Sequence, residues 1–298
     1  MRIPASACGL FGLKPSRGLV PVGADGEGAR GGLAAQHVIS RSVRDSAAFL
    51  DAFTWSNPGR HFDSASRDGS YLSQVYRTPG KLRIAMMREP LQPTVVDREC
   101  VAAVEYAADL CKELGHEVIE AAPNIDTRAL SRASGVLSVV SLANKIRLHE
   151  AQIGRAVVEF DIEPGNWEML RWGRQVPATD YMRSLEMIQR AEHEMIAFMA
   201  QYDLILSPTI ARTPPQIGSV TLSRPLEEFG PMAYRMAAFA SLYNITGQPA
   251  MSVPLFWTEG NMPVGVMFAS RYGQDRMLYR IAAQLEKAKP WFARVPEI

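Results

Sequence analysis

Two short apolar runs with a helical pattern between them do most to limit how this chain can fold. LRIAMM at 82–87 reads as a buried strand, and EVI at 117–119 reads as another. Between Asp97 and Leu114 the apolar side chains of Val101, Val104, Ala108 and Cys111 step by three or four, the spacing of one helix face. Gly115 follows, where a left-handed cap would end that helix. A strand–helix–strand unit with connections this short has its two strands parallel, and the crossover is expected to be right-handed. The fold class is therefore α/β.

The remaining pattern extends this scheme. Ser42 precedes Asp45 by three, a capping-box spacing, and Val43, Ala47, Leu50 and Phe53 follow at helical intervals. Helical periodicity returns around 136–150, 181–201 and 275–287, while apolar runs at 204–206, 250–253 and 264–269 read as strands of the same sheet. Residues 9–32 are dense in Gly and Pro and read as ordered loop around short strands; residues 54–80 are polar and rich in turn formers. The stretch from about 144 to 180 reads as irregular. Its Trp167 and Trp172, with Met169 and Tyr181, either line an apolar cleft or pack a loop onto the core.

Composition narrows the function classes. Lys plus Arg is 32 against 31 for Asp plus Glu, a net charge of +1, so no basic field exists to hold nucleic acid or anionic lipid. Apolar residues at 47% and charged residues at 21% are those of a globular chain. At about 150 residues per domain, 298 residues make two domains or one large one. Cys8, Cys100 and Cys111 are odd in number and lack metal-ligand spacing, which fits unpaired thiols in a reducing compartment, and a cytoplasmic location is expected. No run approaches the roughly 18 apolar residues of a membrane span, and Pro4 and two glycines interrupt the N-terminal run too early for a secretory leader.

Isolated motifs carry little. Gly26-Glu27-Gly28-Ala29-Arg30-Gly31 has dinucleotide-loop spacing without the flanking strand and helix that such a loop needs, and reads as ordinary loop. His193-Glu194 starts like a zinc-protease helix, but Ala197 stands where the second His belongs, so a solvated helix face is favoured and no metal is expected. Ser141 and Lys145 share a helix face without further support for a catalytic pair, and no GxSxG elbow exists. Cys8 reads as a small buried residue filling a tight corner.

Larger blocks agree with a known family. MRIPASACGLFGLKPSRGLVP opens the chain, and Met1, Arg2, Ile3, Pro4 and Ala5 match the positions after the serine of the amidase signature. HVISRSVRDSAAFLDA at 37–52, LRIAMM, ELGHEV at 113–118, YDLILSPTIARTPPQIG at 202–218, YNITGQPAMSVPL at 243–255 and the block at 261–291 come next, in order. The chain thus resembles the amidase signature family along its whole length. The resemblance implies a single domain over residues 1–298 with a mixed, twisted β-sheet flanked by helices on both faces, here without its N-terminal part. It also implies hydrolysis of amide bonds in linear or cyclic substrates. A nucleophilic serine, a second serine on a cis peptide and a lysine relay the proton, and backbone N–H groups hold the oxyanion.

On this alignment the nucleophile falls one residue before Met1 and the other two members further upstream, so no catalytic residue is assigned within the chain. The sequence is expected to be truncated just after the nucleophile and inactive alone. Met1 and Arg2 are then adjacent to the active site, with Arg2 holding the turn through an acidic neighbour or serving as a structural ion pair. Asn144, Trp167, Trp172, Asn244 and Gln248 are candidates for the substrate cleft, Gly247 being explained by turn geometry. No cofactor or metal is expected, and the partner is a small amide, with no direct nucleic-acid or membrane contact and a homodimer as the assembly. Within the family the opening and the PW ending lean toward the 6-aminohexanoate branch. A complex-dependent component like the glutamyl-tRNA amidotransferase A chain and a non-catalytic relative are the alternatives.

Overall fold

Side chains that alternate between two cores define the architecture. A computed structural model describes residues 1–21, 32–55 and 69–295. In chain order they form α1 (Arg2–Ala7), β1 (Phe11–Lys14), β2 (Ile39–Ser40), α2 (Val43–Trp55), α3 (Tyr71–Gln74), β3 (Arg83–Met86), α4 (Arg98–Glu113) and β4 (Glu117–Glu120). There follow α5 (Thr127–Ile153), α6 (Pro164–Gly173), α7 (Ala178–Met199), β5 (Leu204–Pro208), α8 (Leu226–Ala237), α9 (Ala240–Ile245), β6 (Ala250–Trp257), β7 (Pro263–Ser270) and α10 (Asp275–Ala288). The seven strands make one sheet in the order β2-β1-β6-β7-β5-β3-β4.

β3 pairs parallel with β4, as the strand–helix–strand pattern requires, and is also parallel to β5, whereas β5–β7, β7–β6, β6–β1 and β1–β2 are antiparallel. The sheet is therefore mixed. Along β3 and β5, Ile84, Met86, Leu204 and Leu206 enter a core with Val104 and Cys111 of α4 and Leu278 and Ile281 of α10. Ala85 and Ile205 turn the other way, to Leu137 of α5, Met195 of α7 and Tyr243 of α9. A period of two with both faces apolar is what a sheet covered by helices on each side demands.

Local signals act at the positions where the sequence carries them. The Ser42 hydroxyl accepts from Asp45 N at 3.1 Å and starts α2, and Gly115, at φ +91°, follows the end of α4. The stretch around 144–180, by contrast, is largely helical. Asp126 accepts from Ala129 N at 3.0 Å to begin α5, which continues to Ile153 and stops at left-handed Gly154. Pro164 then occupies the first turn of α6, where its missing N–H costs nothing. The expectation of an irregular segment there is corrected: Pro and Gly mark helix ends rather than loop. The Gly26–Gly31 motif lies outside the described residues. No described helix is long and apolar enough to cross a membrane.

Candidate functional site

Two glycines let α1 lie directly on the sheet. A Cβ on Gly12 of β1 would stand 2.6 Å from the Ala5 Cβ and 2.9 Å from the Met1 carbonyl oxygen; one on Gly265 of β7 would stand 2.7 Å from the Ser6 Cβ. No side chain fits at either point, so backbone and helix meet closely, and Gly265 N donates to Ser6 Oγ at 2.9 Å. Phe11 and Leu13 enter the core with α4 and α10, and strand alternation turns Gly12 and Lys14 to the face that carries α1. Met1, Arg2 and Lys14 are thereby gathered at one place.

They line a cleft of about 370 Å³. Its other walls come from 33–35, from Ser134 and Ser138 of α5, and from Ala237, Ala240, Ser241, Asn244 and Ile245 around α8 and α9. Arg2 is the anchor. Its guanidinium donates to the Ala240 carbonyl at 2.7 Å, to Asn244 Oδ1, and to the Met267 sulfur at 3.4 Å, and it lies 5.8 Å from the centre of the Tyr243 ring. Asn244 completes the brace by donating from Nδ2 to the Leu33 carbonyl at 3.0 Å. Residues four apart on α9, Ala240 and Asn244, face the same way and so meet Arg2 together. The acidic neighbour expected for Arg2 is replaced by neutral acceptors, and burial pulls the guanidinium down to about 10. Burial likewise pushes the Tyr243 phenol up, against the pull of Arg2.

Lys14 escapes the sequence patterns. Only 2% exposed, it donates from Nζ to the Pro15 carbonyl at 2.6 Å. Burial holds its ammonium well below the usual lysine range, Arg2 lowers it further, and Asp275 raises it. Asp275 itself accepts from Ser16 N at 2.8 Å and Ser16 Oγ at 2.5 Å, and burial raises its carboxyl. The one sequence signal that points to Lys14 is the alternation of Phe11 and Leu13, which leaves it on the face of Gly12.

Among the five residues named for the cleft, Asn244 stands in its wall. Gln248 does not line it: it is buried beside β6 and accepts from Thr246 Oγ1. Asn144 is exposed on α5 and accepts from Arg147 at 3.4 Å. Trp167 is half-buried on α6, and Trp172 packs over Gly135, where a Cβ would touch its ring at 3.5 Å. Neither tryptophan lines the cleft. His193 is exposed and Glu194 pairs with Arg190 at 3.3 Å, as a solvated face would have it, whereas Glu192 is half-buried and pairs with Arg17 at 2.6 Å. Cys8 is exposed at the end of α1, correcting the expectation of a buried corner, because the helix turns it outward.

Comparison with known proteins is consistent across the chain. Residues 1–279 match the family described as Amidase. A 6-aminohexanoate-cyclic-dimer hydrolase from Paenarthrobacter ureafaciens is 33% identical over all of this chain. This chain spans 63% of that relative's length. The structure of a 6-aminohexanoate cyclic dimer hydrolase complexed with substrate superposes with a TM-score of 0.88 at 33% identity, covering 99% of this chain and 64% of the other. The glutamyl-tRNA(Gln) amidotransferase A chain from Thermotoga maritima shares the fold, with a TM-score of 0.67 at 24% identity, covering 97% of this chain and 60% of that one.

Proposed function

The chain belongs to the Amidase family, and from that premise we propose that it forms the C-terminal portion of an amide-bond hydrolase whose nucleophilic serine directly precedes Met1. The mechanism is that of a serine, a cis-serine and a lysine. A neutral lysine receives the nucleophile's proton through the second serine while the nucleophile attacks the amide carbonyl, and backbone N–H groups hold the oxyanion. The same proton passes to the leaving amine, and water then releases the acyl group. Such a lysine must be buried enough to be neutral.

The observation that supports this reading is that Met1 and Arg2 line the cleft, so a residue bonded to Met1 stands beside that space. The walls are narrow-chained, with Ala34, Ala35, Ser134, Ser138, Ala237 and Ala240, which suits slim linear or cyclic aliphatic amides. The 33% identity to a cyclic-dimer hydrolase points to the same substrate class. On this reading residues 1–298 are part of one domain, acting in the reducing cytoplasm on a small amide, with a second copy of the chain as partner. Likeness to the amidotransferase is one of architecture and gives tRNA-dependent chemistry no separate support.

Because the triad stands outside it, the 298-residue chain alone is inactive. The test is its incubation with linear and cyclic 6-aminohexanoate dimers, followed by amine release. None is expected; turnover abolished by a serine-directed phosphonate would overturn the reading.

A further inference from the structure

On the face of the sheet opposite α1, beside the core that α4 and α10 share, a second cavity of about 660 Å³ opens. All of its lining belongs to 75–79, 114 and 280–288, so neither Met1 nor the cleft around it takes part. Val75, Pro79 and Leu114 make an apolar wall, and Tyr76, 76% exposed, adds an aromatic ring. Arg77, Arg280 and Lys287 are its charged groups, and no Asp or Glu lines it. Among the described residues none of these three cations forms an ion pair.

Arg77 and Lys287 are exposed and by themselves make an ordinary solvated surface. What distinguishes the place is that two buried side chains set its donors. Gln74, fully buried, accepts with Oε1 from Arg280 Nε at 2.9 Å and from Nη2 at 2.7 Å, and donates from Nε2 to the Ser70 carbonyl at 3.2 Å. Arg280 is thereby held by a neutral partner, with its charge uncompensated and Nη1 without a partner among the described residues. His116, 5% exposed, accepts at Nδ1 from Leu82 N at 3.2 Å, so Nε2 carries the proton and donates to Gln284 Oε1 at 2.9 Å. With its oxygen taken, Gln284 is left with amide N–H groups to offer the cavity it lines.

From this convergence of Arg77, Arg280, Lys287 and the Gln284 amide on one apolar-walled cavity we propose a binding site for a small organic phosphate monoester. Such a monoester carries about two negative charges near neutral pH and several acceptor oxygens, which the cations and the amide match. Its organic part meets Val75, Pro79, Leu114 and the Tyr76 ring. The volume lies within the roughly 300–1,000 Å³ of small-ligand pockets, which favours a free molecule over a polymer. The inference goes beyond the hydrolase reading and does not depend on it, because binding alone expresses it.

The test is calorimetric titration of the native product, expressed from its gene, with phenyl phosphate, inorganic phosphate, phenol and N-acetylphosphotyrosine N-methylamide. Phenyl phosphate is expected to bind saturably and about tenfold or more tighter than inorganic phosphate or phenol, since each of those lacks one half of the match. In the double variant Arg77→Ala, Lys287→Ala, which alters only exposed side chains, its affinity should fall about tenfold or more, and this places the binding on α10 rather than in the cleft of Arg2. Absence of saturable binding, equal affinity for inorganic phosphate, or undiminished affinity in the double variant overturns the proposal. Tighter binding of the phosphotyrosine derivative than of phenyl phosphate overturns it as well, by assigning the site to a phosphopeptide.

Discussion

Gly12 lies beneath Met1, so closely that a Cβ on the glycine would be 2.9 Å from the Met1 carbonyl oxygen. This contact lays α1 on the sheet and brings Arg2 into the same cleft as Lys14. Gly12→Ala should therefore lift α1, destabilising the chain by about 1–3 kcal/mol, the range for overpacking a filled site. Urea unfolding of the variant reads this as a lower midpoint at unchanged slope.

Asn244 serves Arg2 and Leu33 at once. Asn244→Ala leaves a buried guanidinium short of an acceptor and the Leu33 carbonyl short of a donor, a loss of about 1–3 kcal/mol. Asn244→Leu, of similar size, should do no better, which distinguishes lost hydrogen bonding from lost volume in the same unfolding assay.

The strand–helix–strand unit is legible in the sequence because each of its parts is local. Val101, Val104 and Cys111 repeat along one helix face, and Gly115 caps it without help from elsewhere. α1 is not legible: Pro4 and the glycines around it resemble loop, and what holds the helix is contact with Gly12 and Gly265, the latter more than 250 positions away. Arg2 stands out in the sequence, but its neutral partners on α9 depend on tertiary packing and cannot be read from its neighbours. Lys14 runs against the expectation that lysine is exposed, and only the register of a four-residue strand turns it inward.

The three thiols should divide by reactivity. Burial pushes Cys100 and Cys111 up to about 12, while Cys8 is exposed. At pH 8 a thiol of that kind is thiolate in only about one molecule in ten thousand. Titration of the folded chain with a disulfide reagent should modify Cys8 quickly, and the other two only after denaturant is added.

His37 ties acid stability to the contact between α2 and α10. Its Nε2 meets Ser46 Oγ at 3.0 Å and Tyr279 OH at 3.2 Å, and burial lowers its pKa from 6.5 to about 4. Because the folded value is the lower one, the unfolded chain takes up the proton first. The stabilisation is complete above about pH 6.5 and is lost as pH falls toward 4, up to about 3 kcal/mol in all. His37→Gln should flatten this part of a stability–pH profile.

The proposed nucleophile is the serine joined to Met1. The direct measurement is to label the native protein in its source cells with a serine-reactive phosphonate and map the label by peptide mass spectrometry. The account predicts a labelled product longer than 298 residues, with the phosphonate on the serine immediately before MRIPASACGLFGLKP. A 298-residue native product that hydrolyses amides and takes the label on one of its own serines would contradict it.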